Sequence, residues 1–340
     1  EKSACRVGSH MCRPKLVGLG LPNYHVKSRP PLATMWRVHT AVYEAAMCNV
    51  SPDPRIFFPE IEGNLTKIVW AHAVNSRAEL DRALESAAIM MIEADVVVGK
   101  VNGTANSTDI PIMAHPPAEL SDLSLEDFLN TVAEKNTSKG IKLDFKSIKA
   151  FQLSKPILKN LTFPVFINAD ILAGPVNAST DPVDAKEFLA GAKEVLPEST
   201  LSVGWTTRYG QKPNITEGRY TEEQVMKMID TVKQGQVKQP ITYPIRAGLA
   251  ANDINSVKKL MEESASLGNA TLTIWSSEGD NVNVAELSKL VRDVGVDKVY
   301  VDVPEELMKS LNFSAASSLS ATLLISLGPI LVTMLLSRML

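Results

Sequence analysis

Between Phe57 and about Leu311 the chain alternates short apolar runs with stretches of helical period. The runs expected as strands are 67–72, 90–97, 141–145, 164–169, 200–205, 242–247, 271–275 and 298–302, eight in all. The stretches between them carry helix start signals. Ser76 with Glu79, Ser124 with Asp127 and Thr221 with Gln224 each place an N-cap hydroxyl three residues before a side chain that can answer it. In the last of these, Val225, Met228, Ile229 and Val232 trace one apolar face. Asn252 or Asp253 can cap the next helix, and Asn283 with Glu286 opens one that stops at Gly295. Eight strands with intervening helices predict an α/β fold, a (β/α)8 TIM barrel, with a doubly wound open sheet as the competing architecture. The 43 residues 98–140 are long for one connection; a polar hairpin there is expected to return a short strand ending at His115.

Polar residues interrupt these runs near their ends. His72 closes KIVWAH, Glu93 and Asp95 sit in MIEADVVV, His115 closes PIMAH and Asp144 sits in IKLDFK. Two imidazoles and three carboxylates are the parts of a one-metal acid/base site, and burying three carboxylates together is costly without a compensating cation. Side chains alternate along a strand, so Glu93 and Asp95 share one face, as do Lys142, Asp144 and Lys146. Ion pairing of Glu93 and Asp95 with Lys142 and Lys146 is the structural alternative. Other strand ends carry Asn168, Asp170, Trp205, Arg246, Trp275 and Asp302. Lys142, Asn168, Asp170, Trp205, Arg246 and Trp275 are the expected substrate-binding set. The alternatives are that the two tryptophans pack the rim and that Arg246 pairs with Asp170 or Asp302.

Composition narrows the function classes. With 45% hydrophobic and 21% charged residues the 340-residue chain can bury a full-sized core, and a net charge of -3 offers no basic surface for nucleic acid. Cys5, Cys12 and Cys48 all precede the barrel region, which therefore has neither a disulfide nor a thiolate zinc site. Ten of the eighteen asparagines open an Asn-x-Ser/Thr sequon, where about three are expected by chance. They are Asn49, Asn64, Asn102, Asn106, Asn136, Asn160, Asn177, Asn214, Asn269 and Asn312; a proline after its serine weakens Asn49 as an acceptor. Such density predicts a glycoprotein of the secretory pathway, extracellular or at the cell surface. Small residues from Ser314 to Ser318 precede an apolar run from Leu319 to Leu336, the form of a GPI attachment signal, with a single-span helix as the alternative. Three segments are thus expected: 1–56, an incomplete or incorrect N-terminus lacking a visible signal peptide; a barrel over 57–311; and a membrane-directed tail over 312–340.

The ordered segments FFPEIEGNLTKIVWAHAVNS, MIEADVVVG, PIMAHPP, KGIKLDFKS, FINADIL, LSVGWTT, YPIRA and YVDVP resemble the menorin family along nearly all of 57–305. That family is similar, more distantly, to phospholipase-C-like phosphodiesterase barrels, including glycerophosphodiester phosphodiesterases. The resemblance implies a barrel of that type, with His72 and His115 as acid/base pair and Glu93, Asp95 and Asp144 holding Mg2+ or Ca2+. Lys146 then matches the catalytic lysine two residues after the third carboxylate. The implied activity is metal-dependent hydrolysis of a glycerophosphodiester or lipid head group. Menorin-type proteins are also associated with surface cues, so a recognition module that engages adhesion proteins is the second implied class. The chain departs from the enzymes at two positions, with His72-Ala73-Val74 in place of His-Arg-Gly and His115-Pro116 in place of His-Asp. Without that arginine, the phosphate charge has to be met by Lys142, Lys146 or Arg246.

Overall fold

The computed structural model describes residues 53–314 apart from 104–107, 136–137 and 160. These residues lie in one unit, Val50–Leu340. Nearly all of the expected N-terminal segment, the membrane-directed tail beyond residue 314, and the sequons at Asn49, Asn106, Asn136 and Asn160 fall outside them. The strands are β1 Trp70–Ala71, β2 Met91–Val101, β3 Ile110–Met113, β4 Leu120–Ser121, β5 Gly140–Phe145, β6 Val165–Ala173, β7 Thr200–Thr206, β8 Ile241–Arg246, β9 Ala270–Trp275 and β10 Val299–Asp302. Eight of them are parallel in the order β1-β2-β5-β6-β7-β8-β9-β10, a nearly closed barrel with helices between successive strands. Because spatial order follows chain order without reversal, the doubly wound alternative is excluded. The expected hairpin is present: β3 runs antiparallel to the outer half of β2, from Val96 opposite Met113 to Gly99 opposite Ile110.

Local chemistry accounts for where the elements begin. The Ser76, Ser124 and Thr221 hydroxyls accept from the backbone N–H three residues on, and Thr221 with Gln224 completes a capping box. Asp253 rather than Asn252 caps Ile254–Ser264, since its carboxylate accepts from Ser256 N–H at 3.2 Å while Asn252 donates to the Gly218 carbonyl. Two expectations shift. The strand expected over 67–72 shrinks to Trp70–Ala71, because the Asn64 side chain accepts from Thr66 N–H and winds Leu65–Lys67 into a 3-10 turn. A seven-residue helix, Ile148–Ser154, was too short to show in the periodicity; Ser147 caps it.

The barrel inverts the usual polarity of a strand facing a core. Outward positions such as Ile92, Ala94, Ile141, Leu143, Ile167, Val203, Ile245, Ile274 and Val301 join the helix residues Leu80, Phe128, Phe188, Ile229 and Leu290 in one apolar layer. The alternate, inward positions are mostly apolar at the N-terminal end and mostly polar above it, with Pro244 and Trp275 as exceptions. At the N-terminal end Met91, Phe166 and Tyr300 cluster with Phe58, Ile61, Leu65 and Ile68 from the segment preceding β1. Trp70, Phe166 and Tyr300 meet edge to face, with centroids 5.4 to 6.1 Å apart, and form a floor. Above it the inward residues become hydroxyls and amides, and then charges. Phe166→Ala should therefore cost about 3–5 kcal/mol, as a cavity the floor cannot close, read as a lower urea midpoint at unchanged slope.

Candidate active site

The C-terminal ends of the strands surround a cavity of about 600 Å³ whose lining includes His72, Glu93, Asp95, His115, Lys142, Asp144, Lys146, Asn168, Asp170, Arg246 and Trp275. Parallel register carries this convergence: Glu93 lies opposite Lys142, Asp95 opposite Asp144, and Asp144 opposite Asn168. Carboxylate oxygens of Glu93, Asp95 and Asp144 all lie within 4.8 Å of one another. The Lys146 ammonium bridges two of them, at 2.7 Å from Asp95 and 2.5 Å from Asp144. Asp144 also accepts from Asn168 Nδ2 at 2.6 Å, and Asn168 Oδ1 in turn accepts from the Ser202 hydroxyl.

Each carboxylate is held by the chain around it. The turn after β1 passes through Ala73 at φ 54, a left-handed conformation uncommon for alanine, and directs Ala73 N–H onto Glu93 Oε2 at 2.8 Å. Asn75 bonds Asp95 twice, donating from Nδ2 to the carboxylate and accepting at Oδ1 from the Asp95 N–H, both at 2.8 Å. Burial raises the Glu93 carboxyl above its ordinary range. Burial presses Asp144 the same way, but the charges of Lys146 and Lys142 outweigh it and hold Asp144 low. Lys146 loses hydration too, yet the surrounding carboxylates hold its ammonium well above the usual range.

The histidines differ. His72 Nδ1 lies 2.8 Å from Asp302 Oδ2 and 3.7 Å from Glu93, across the seam between β1 and β10. Burial alone would lower its pKa, but the Asp302 hydrogen bond and the Glu93 charge raise it to about 9. His115, just past β3, is exposed and bonds the Pro116 carbonyl through Nδ1 at 2.7 Å. A carbonyl only accepts, so Nδ1 carries the proton and Nε2 keeps its lone pair in the neutral ring.

Three cations line the cavity, and their environments separate them. Arg246 does not pair with Asp170 or Asp302. Its fork closes on Asp280, Nε at 2.8 Å and Nη2 at 2.9 Å, and its guanidinium covers Trp275 at 4.9 Å from the ring centroid. Gly210 permits this, since a Cβ there would stand 2.3 Å from Asp280 Oδ1. Lys146 is committed to Asp95 and Asp144. Lys142, only 4% exposed, has no hydrogen bond or ion pair among the described residues. Of the two tryptophans, Trp275 lines the cavity while Trp205 turns outward and packs on Tyr220, centroids 5.2 Å apart. Alternation along β7 accounts for this, since Trp205 shares its face with Leu201 and Val203 in the outer layer, while Ser202, Gly204 and Thr206 take the inward face. The roles of Asn75, Asp280 and Asp302 are the part that pattern reading missed. Asp302 was visible at a strand end, whereas Asn75 and Asp280 sit in turns with no periodic signal. Of the described sequons, Asn102, Asn177, Asn214, Asn269 and Asn312 are exposed and Asn64 is half-buried.

A parallel barrel with a carboxylate trio, two histidines and buried lysines at the C-terminal mouth defines a class: α/β barrels whose site is arranged around acidic side chains. The model of the menorin N-terminal domain matches residues 64–308. Human "Protein FAM151B" is 38% identical over 243 residues, covering 70% of this chain and 83% of that protein. The chain belongs to the menorin family.

The raised imidazole gives a stability signature with a definite sign. His72 contributes stability that is complete below the unfolded value of about 6.5 and is lost as pH rises through about 9. In chelator, the melting-temperature gap between the native chain and His72→Gln should shrink from pH 6 to pH 10; a gap independent of pH would contradict the His72–Asp302 pair.

Proposed function

We propose that this protein is a metal-dependent phosphodiesterase that hydrolyses a glycerophosphodiester or lipid-derived diester outside the cell, as a glycoprotein held at the surface by its C-terminal tail. The observation that carries the reading is the pairing, in one cavity, of a three-carboxylate cluster with a buried lysine that has no direct partner among the described residues. The donor set is all oxygen and spans 4.8 Å, which fits the ligand shell of a hard divalent cation, Mg2+ or Ca2+, held by Glu93, Asp95 and Asp144. When bound, such a cation withdraws charge from a phosphodiester oxygen.

The remaining work falls to side chains of this chain. Lys142 meets the phosphate charge in place of the arginine that the related enzymes carry. His115, with its proton fixed on Nδ1 by the Pro116 carbonyl, accepts a proton at Nε2 from the attacking hydroxyl. His72, positive near neutral pH, donates a proton to the departing oxygen, while Asp302 orients the ring and stabilises its charge. Asn168 and Asn75 fix the carboxylates so that little reorganisation accompanies turnover. Exposed sequon asparagines support the glycoprotein part of the reading.

One observation favours a second reading, a recognition module for adhesion proteins that does not turn over. The bridge from Lys146 to Asp95 and Asp144 compensates two carboxylates by itself, so the cluster is tenable as an ion-pair network. A phosphodiester panel assayed with the full chain in Mg2+, in Ca2+ and in EDTA separates the two. Hydrolysis should require the divalent ion and fall by about 10²-fold or more in Asp95→Asn. Lys142→Met should raise KM roughly tenfold with a smaller change in kcat. No hydrolysis by folded, metal-replete protein would favour the recognition module.

A further inference from the structure

On the side of the cavity formed by β6 and β7 Asn168 positions Asp144, and the wall beyond it is polar and incompletely paired. Asp170 reaches the cavity from β6, and its carboxylate has no hydrogen-bond partner among the described residues. Opposite it on β7 stands Gly204. A Cβ at that glycine would lie 2.7 Å from Asp170 Oδ1 and 2.7 Å from Pro244 Cγ, so the missing side chain keeps the carboxylate clear. Two residues on, Thr206 is 3% exposed and its buried Oγ1 has no partner. Thr180, Thr207 and Ser277 add hydroxyls to the same lining. Burial, and then the Asp144 charge, push the Asp170 carboxyl upward, and in either protonation state it can accept from a hydroxyl. The buried Thr206 hydroxyl, left unpaired, carries a desolvation cost that a matching ligand group removes, and the half-buried Asp170 carboxylate stands open beside it.

The alternative ligand for a lone carboxylate is a cationic head group, and the surroundings disfavour it. Lys142 and Lys146 both act on Asp170, so an added cation would meet two ammonium groups. Aromatic faces that could cage a quaternary ammonium are in use, since the Arg246 guanidinium lies 4.9 Å over Trp275 and 5.6 Å over Tyr209.

We propose that Asp170 and Thr206 form a polyol subsite, which hydrogen-bonds the hydroxyls of a neutral polyhydroxylated alcohol esterified to the phosphate. This specificity rests on the phosphodiester reading only in placing the phosphate beside Lys142.

Calorimetric titration of the full chain in Mg2+ tests it, with myo-inositol 1-phosphate, glycerol phosphate, phosphocholine and phosphoethanolamine as probes. The polyol phosphates should bind about tenfold tighter than the two cationic ones, and Asp170→Ala should bring that ratio close to one. Asp170→Asn, which keeps the size and can still bond hydroxyls, should retain part of the preference; it also decides the matter if Asp170→Ala does not fold. Equal or tighter binding of phosphocholine or phosphoethanolamine would overturn the subsite, and so would a ratio unaffected by both substitutions. Hydrolysis of bis(p-nitrophenyl) phosphate by the same samples distinguishes the two levels. Selective, Asp170-dependent binding without hydrolysis sinks the enzyme reading alone, whereas hydrolysis without that selectivity sinks the subsite alone. If no phosphoester binds, both fail.

Discussion

Compensation of buried negative charge is the constraint on which the upper half of the barrel depends. Glu93 and Asp95 are 2% and 4% exposed, and the Asp144 side chain is half-buried, 16% exposed. Isolated carboxylates in that position would lose far more in hydration than packing returns. Lys146 supplies one answer, bridging Asp95 and Asp144, and Ala73 N–H, Asn75 and Asn168 supply fixed dipoles to the remaining oxygens. Burial raises the Glu93 pKa, against the opposing charge of His72, and the Asp95 and Asp144 charges add to it, so one further positive charge at the cluster would be met favourably. A divalent ion would supply positive charge there. The ion-pair network and the metal centre are therefore two ways of meeting one electrostatic demand.

The fold can meet this demand because its apolar and polar faces are separated by strand period. Outward residues of the barrel strands feed one layer with the helices, so above the aromatic floor stability rests mainly on that layer. The interior is then free to be graded along the barrel axis. An aromatic floor of Trp70, Phe166 and Tyr300 seals the N-terminal end. Above it, paired hydroxyls and amides such as Thr242 with Thr273 and Ser202 with Asn168 satisfy one another. The charges occupy only the mouth, where solvent and ligands reach them. The seam between β1 and β10 is spanned at that mouth by His72 and Asp302, so one hydrogen bond both joins the first and last strands and orients an imidazole.

Much of this was legible in the sequence because the signals are local and periodic. Eight apolar runs gave the strand count, capping residues gave helix starts, and alternation put Glu93, Asp95, Lys142, Asp144 and Lys146 on inward faces. What escaped depends on long-range geometry. The Arg246 partner, Asp280, comes from a loop 34 residues away, and nothing in SSEGD distinguishes it from an ordinary turn. Trp205 looked like its neighbours at other strand ends, but it stands on the odd-numbered face of β7 with Leu201 and Val203, and that face points outward. Asn64 shows a different competition, in which a side-chain bond to the local backbone overrode an apolar run and shortened β1.

The missing arginine after His72 becomes intelligible once the cations are considered together. Arg246 is fixed by Asp280 at two points and stacked on Trp275, so recruiting it to a ligand would break a bidentate pair and leave Asp280 buried and uncompensated. Lys146 cannot leave Asp95 and Asp144 without restoring the repulsion it relieves. Of these three cations only Lys142 has no direct partner among the described residues, and it stands between Glu93 and Phe166 in the strand register. A lysine offers a point charge rather than a planar fork, so it attracts a phosphate without fixing its orientation. Orientation must then come from elsewhere in the cavity, from the carboxylate centre on one side and the hydroxyl-lined β6–β7 wall on the other. On the proposed phosphodiesterase reading, the absence of that arginine shifts the burden of specificity from the phosphate to the group attached to it.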